Sequence, residues 1–168
     1  MSLNFNDLAS DIATALNHPG DITVQVLGFS HGIIEELTTN GMATSRNTPG
    51  PHSISGMTDS SMAALVASYA GYGSVSSQLL NFCRAIVDHI QNDGQVFYDS
   101  PVENPPLILP ADAWYLNGLI SNLDGSTLAT LVASYVGYGS VSTPLLQFCT
   151  AVVNYIMANA EVTDGVIS

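Results

Sequence analysis

Five residues, Gly28-Phe29-Ser30-His31-Gly32, carry the spacing G-x-S-x-G. In the nucleophile elbow of serine hydrolases this spacing places a serine on a sharp strand-to-helix turn, and a later acid and histidine complete a triad. A strand-like alternation, Ile22-Thr23-Val24-Gln25-Val26, precedes the motif, and the helical spacing of Ile33, Ile34 and Leu37 follows it. By chain order His52 or His89, with Asp59, Asp88 or Asp99, could fill the other two places. The context argues against catalysis, because an elbow sheet needs several strands upstream and only one short helix stands there. A small serine hydrolase using Ser30 is therefore an alternative, and no catalytic residue is assigned.

The remaining reactive side chains are sparse. His31 and Glu35 stand i, i+4 and could share a metal, but no second ligand pair is recognisable and closed sites usually need four ligands. No metal or cofactor is expected. Cys83 and Cys149 fall on apolar stripes with nothing cationic beside them, which reads as buried core and not as nucleophiles or a disulfide. Arg84 and Asp88, also i, i+4, read as a solvated surface pair. The tract Gly71-Tyr72-Gly73-Ser74-Val75-Ser76 recurs at Gly137-Tyr138-Gly139-Ser140-Val141-Ser142. A phosphate cradle would need free backbone N–H groups and usually a cation, and the spacing matches neither dinucleotide nor Walker motifs. Glycine that leaves a helix through left-handed dihedrals is the simpler reading. Tyr69, Tyr72, Tyr135 and Tyr138 could also line a small-ligand groove, a second alternative.

These groups sit in an internal duplication. Residues 62–90 and 128–156 are identical at nineteen of 29 positions. Met62, Leu65, Val66 and Tyr69, like Leu128, Leu131, Val132 and Tyr135, follow the i, i+3, i+4, i+7 spacing of a helix. After each GYG a second stripe runs from Val75 to Ile90 and from Val141 to Ile156. Ser74 or Ser76, and Ser140 or Ser142, are natural N-caps, and Pro144 must lie in a first turn. Each copy is an αα-hairpin. The ionisable positions differ between copies: Arg84, Asp88 and His89 become Thr150, Asn154 and Tyr155. What repeats is apolar, small or tyrosine, as expected of a packing unit.

Upstream, Asn4 or Asn6 caps a helix through Asn17, with Phe5, Leu8, Ile12 and Leu16 inward and His18-Pro19-Gly20 ending it. Residues 21–39 read as one helix capped by Asp21, with a strand at 22–28 as the competing reading. Residues 40–57 and 93–110 read as long loops rich in Gly, Pro and Ser, of the kind that dock or order on partners. Pro110 opens a short helix, 111–123, that carries the only tryptophan, Trp114.

Charge narrows the function classes. The chain has 168 residues, 46% hydrophobic, with fourteen acids, two arginines (Arg46 and Arg84), no lysine and a formal charge of −12. Phosphate-backbone binding needs clustered cations, so nucleic acid is excluded as a partner, and an anionic lipid surface for the same reason. No charge occurs between Asp124 and Glu161. GYGSVSTP nevertheless divides that run into pieces too short to span a bilayer. The start lacks a basic region and carries Asp7 and Asp11, so no signal peptide is expected, and the location would be virion or cytoplasm.

The segment Leu145–Thr163, LLQFCTAVVNYIMANAEVT, with its weaker copy at Leu79–Val96, resembles a helix of small structural proteins of tailed bacteriophages and prophages, in which a LxxFxxAVVxxIxxNAxV run precedes a glycine-rich or threonine-rich C-terminal stretch. The resemblance implies a virion or assembly role and no functional residues. The expected fold is a single all-α domain over 1–168, a duplicated αα-hairpin with added N-terminal and central helices. The expected function is a non-catalytic structural protein that forms homo-oligomers, or joins other structural proteins, through apolar helical faces.

Overall fold

Among the described residues a side-chain cap starts each helix. In the computed structural model, which describes residues 2–43, 50–99 and 117–168, Asn4 accepts the Asn6 N–H at 2.8 Å and opens α1 (Phe5–Ala15). Thr23, not Asp21, caps α2 (Val24–Thr39) through the Val26 N–H at 3.2 Å. The chain then forms β1 (Met42–Ala43) and β2 (His52–Ser55). Thr58 caps α3 (Asp59–Ala70), and Ser76 caps α4 (Ser77–Asp93). Next come β3 (Gln95–Asp99) and β4 (Asn117–Ser121). Asp124 caps α5 (Gly125–Val136), Ser142 caps α6 (Thr143–Asn159) with Pro144 in the first turn, and β5 (Glu161–Thr163) and β6 (Val166–Ile167) finish the chain. Each such cap stabilises its helix by about 1 kcal/mol.

The order is helix, helix, strand, strand, three times over. The duplicated hairpins are α3–α4 and α5–α6, and α1–α2 is a third, diverged copy. All three hairpins leave their first helix through a left-handed residue: Asn17 (φ 62), Gly71 (φ 76) and Gly137 (φ 88). Each helix packs on its neighbours in chain order, and α6 closes the ring on α1.

The six strands form a closed antiparallel barrel in the order β1-β2-β3-β4-β5-β6, β6 pairing back to β1 through Met42 and Val166. This overturns the all-α expectation: the fold is mixed. Strands occupy parts of both expected long loops, since β1 and β2 lie within 40–57 and β3 within 93–110. Residues 44–49 and 100–116, with Arg46, Pro110 and Trp114, lie outside the described residues. The expected helix at 111–123 is overturned where it is described, because Asn117–Ser121 is strand β4, paired with β3 in the register Val96↔Ile120. Strands of two to five residues hold too few alternations to compete with helical spacing in a sequence; ring closure makes them.

Inside the barrel, Ala43, Ile54, Val96, Ile120, Val162 and Ile167 are buried. Two such residues come from each unit. Tyr98 fills the space over its register partner Gly118, where a Cβ would stand 2.8 Å from the tyrosine ring. Strands β1, β3 and β5 follow directly on α2, α4 and α6. The barrel core therefore continues into the helical core of Leu37, Ile90 and Ile156, all buried.

Candidate functional site

The G-x-S-x-G motif lies in the middle of α2 and not on a strand-to-helix turn. Ser30 is fully buried and donates to the Val26 carbonyl at 2.8 Å. The elbow reading fails on this geometry. The two glycines have a different job. A Cβ on Gly28 would stand 2.6 Å from the Ala70 backbone, and one on Gly32 2.9 Å from the Val66 nitrogen. They let α2 and α3 approach backbone to backbone, the use small residues find at helix crossings.

His31 sits between two rings. It stacks on Phe5 at 3.9 Å and on Tyr69 at 3.5 Å between centroids, and its Nε2 is 3.6 Å from the Glu35 carboxylate. Among the described residues no group of three or more His, Cys, Asp or Glu is placed to hold a metal. Arg84 and Asp88 do pair, at 3.7 Å, and Arg84 also lies 4.9 Å above the Tyr135 ring. Cys83 and Cys149 are buried and free, and burial pushes both thiols up to about 12. Among the described residues no helix is long and apolar enough to cross a membrane.

The tyrosines divide into two sets. Tyr69 donates to Glu35 and Tyr135 to Asp88 (2.9 Å), bonds that raise both phenol pKa values because ionisation would set two anions together. Both are seam residues between units. Tyr72 and Tyr138, by contrast, share one open cavity of about 750 Å³ with Phe29, Leu79 and Phe82. It lies at the hairpin-loop end of the molecule, opposite the barrel.

The floor at that end is a trio of equivalent phenylalanines. Phe29, Phe82 and Phe148, one each from α2, α4 and α6, have centroids 5.3, 5.6 and 5.7 Å apart and meet edge to face. Such contacts contribute about 0.5–1.5 kcal/mol per pair beyond burial. A second apolar hollow of about 300 Å³ flanks the trio, between Val26, Pro144 and Leu145. Around the rim stand Ile22, Val75 and Val141, which are 40%, 40% and 38% exposed, with Tyr72 at 39% and Tyr138 at 50%. Of the described acids only Asp21 belongs to a hairpin loop, and the described arginine, Arg84, lies well down α4. The loop end thus exposes apolar and aromatic side chains among small polar ones, and it is nearly uncharged on a strongly acidic chain.

Sequence reasoning missed a ring of buried polar groups at the other end of the helices. Glu36, His89 and Tyr155 occupy equivalent positions on α2, α4 and α6, and each takes the backbone N–H of the next unit's capping residue. Glu36 accepts from Thr58 at 2.8 Å, His89 Nε2 from Asp124 at 3.0 Å, and Tyr155 from Asn4 at 2.9 Å. Glu36 also accepts from Ser61 (2.6 Å) and Asn40 (2.9 Å). With its Nε2 accepting, His89 offers its Nδ1–H to Asp93 at 2.7 Å. Tyr155 donates in turn to the Asn4 carbonyl at 2.9 Å. His89 and Tyr155 differ in type, so comparing the copies marked the position as variable. Compared with protein-family models, curated proteins and solved structures, the chain has no match.

Proposed function

We propose that the protein is a non-catalytic structural or assembly protein that associates with further copies of itself through its hairpin-loop end. The observation that carries this reading is apolar side chains exposed at an end nearly free of charge; the outer face of the barrel also exposes Met42, Phe97, Leu119 and Val166, but there Leu119 is the register partner of Glu161. A chain of formal charge −12 repels its own copies, and that repulsion is weakest where its acids are fewest, at the loop end with Asp21 alone among the described acids. There the rim of Ile22, Val75, Val141, Tyr72 and Tyr138 offers exposed apolar and aromatic side chains over an aromatic floor. Tyrosines of this kind anchor interfaces at small entropic cost. A place in a phage particle, implied by the resemblance of Leu145–Thr163, fits an assembly role. The buried positions Leu145, Cys149, Val152, Ile156 and Val162 also give that segment's apolar spacing an internal reason.

Sedimentation over a range of concentrations tests the proposal. Wild type is expected to associate, and a Val75→Asn, Tyr72→Ser, Tyr138→Ser variant to weaken association by more than about tenfold. A strict monomer at the highest attainable concentration would overturn it.

The cavity beside Tyr72 and Tyr138 favours a second reading, a small-ligand site. Its volume of about 750 Å³ falls in the range of small-molecule sites. An apolar ligand held there would raise the melting temperature of a monomer without changing its mass.

A further inference from the structure

The seams between units repeat one arrangement twice and break it once. At the α2–α3 seam, Tyr69 lays its ring on His31 at 3.5 Å and donates its hydroxyl to Glu35, one turn further along α2. At the α4–α5 seam, Tyr135 lies 4.9 Å under Arg84 and donates to Asp88 at 2.9 Å, again one turn further along. The equivalent positions at the α6–α1 seam are Ala15, Thr150 and Asn154. The aromatic ring is missing, and an open groove of about 510 Å³ stands there, lined by Ala15, Thr150, Asn154 and Asp11 among others. Asp11 is itself a departure: Leu65 and Leu131 hold its place at the other seams.

We propose that this groove binds a small neutral phenol, whose ring takes the place that tyrosine has at the two filled seams. The chemistry of the occupant is read from those seams. A flat ring lies between two helices and its hydroxyl donates to an acceptor on the second. In the α6–α1 groove the Asn154 carbonyl oxygen and the Asp11 carboxylate supply acceptors for that hydroxyl. Thr150, in place of His31 and Arg84, leaves the ring an uncharged neighbour. Asp11 and the acidity of the whole chain turn away aryl carboxylates. The groove begins within a turn of the hairpin loops but shares no lining residue with the loop-end cavity or its rim, so its variants test it separately from the assembly proposal.

The test is titration of p-cresol into full-length protein, followed by amide chemical shifts. Saturable shifts are expected on α1 and α6 around Ala15 and Asn154, with half-saturation on the order of 1 mM for a ligand of this size. 4-Methylanisole, which has lost the donor, should bind about 3- to 10-fold more weakly, and benzoate should leave these shifts unmoved. Ala15→Tyr, which supplies the ring from the chain, should weaken p-cresol binding at least ~10-fold. Asn154→Leu, at an exposed position, should weaken it about 3- to 10-fold whatever the behaviour of the Ala15 variant. Absence of saturable shifts at this seam, equal binding of p-cresol and 4-methylanisole, or undiminished binding in a folded Ala15→Tyr protein would overturn the proposal. Release of subunits from an oligomer by p-cresol would overturn it too, assigning the groove to a tyrosine of a second copy.

Discussion

Replacing Glu36 tests whether the buried polar ring holds the units together. Its carboxylate is fully buried and takes three donors: Thr58 N–H at 2.8 Å, the Ser61 hydroxyl at 2.6 Å and the Asn40 amide at 2.9 Å. Hydrogen bonds to a charged group contribute about 1.5–3 kcal/mol each. Desolvating the carboxylate offsets much of that sum. Glu36→Leu removes both the bonds and the desolvation, and strands donors at the seam, for an expected net loss of about 3 kcal/mol. In a chain of this size that lowers the melting temperature by roughly 6–12 °C. Glu36→Gln keeps an oxygen for the Thr58 N–H and lets Ser61 rotate to accept, so about 1–2 kcal/mol is expected. The assay is urea unfolding followed by far-UV circular dichroism, with unfolding slopes compared to establish that the native state is equally compact. A Leu variant within about 0.5 kcal/mol of wild type would refute the reasoning, as would one more stable than wild type. Either result would mean that α2–α3 packing alone holds this seam, and that the shared bond to the next cap is incidental.

Gly28→Ala should destabilise by about 2 kcal/mol although alanine is the better helix former, because the added carbon meets the Ala70 backbone at 2.6 Å; equilibrium unfolding gives the sign directly. The Asp124 carboxyl is held down at about 2, chiefly by the Ser126 hydroxyl and then by the backbone N–H and hydroxyl of Thr127. A depressed carboxylate pKa contributes stability above the unfolded value near 4 that is lost as pH falls toward 2. Urea midpoints of wild type and Asp124→Asn should therefore converge over that interval, and a gap that widens on acidification would contradict the cap. Iodoacetamide at neutral pH should leave Cys83 and Cys149 unmodified in the folded protein, since thiols pushed up to about 12 carry almost no thiolate; mass spectrometry of native and urea-treated samples makes the comparison.

Much of the helical frame was legible in the residues. Ser76 and Ser142 cap as their position before an apolar stripe implies, Pro144 sits in a first turn, and Gly71 and Gly137 take the left-handed dihedrals that end a helix. The third copy was not legible, because Asn17-His18-Pro19-Gly20 replaces GYG and the turn is one residue longer. The equivalence of Phe29, Phe82 and Phe148 then depends on a shift within the turn. The barrel was hidden for another reason. A strand such as Met42–Ala43 has no local pattern and exists because β2 and β6 flank it. At the buried ring, the partner to be satisfied is a backbone N–H, and a carboxylate, an imidazole nitrogen or a phenol oxygen can each accept from it. The position requires an acceptor and not a residue type, so identity between copies was the wrong measure there.

The same distinction explains where the pseudo-threefold arrangement is kept and where it lapses. It is kept where all three units meet: the three phenylalanines are identical, and the paired barrel residues are all apolar, with Ala43 where its equivalents are Val96 and Val162, because a polar side chain there would be buried without a partner. It lapses on the outer seams, where each arrangement answers to two helices only, and Ala15 can stand where its equivalents are Tyr69 and Tyr135. Closure of the barrel adds a constraint on the whole. Each unit supplies two short strands, far too little sheet to stand alone, and removal of any unit would leave two unpaired edges. The helix pairs repeat as hairpins, but the barrel makes them interdependent. The hairpin loops lie outside this closure, and the apolar side chains they expose, Val75, Val141, Tyr72 and Tyr138 among them, pair with no strand, which is why the association we propose is placed there.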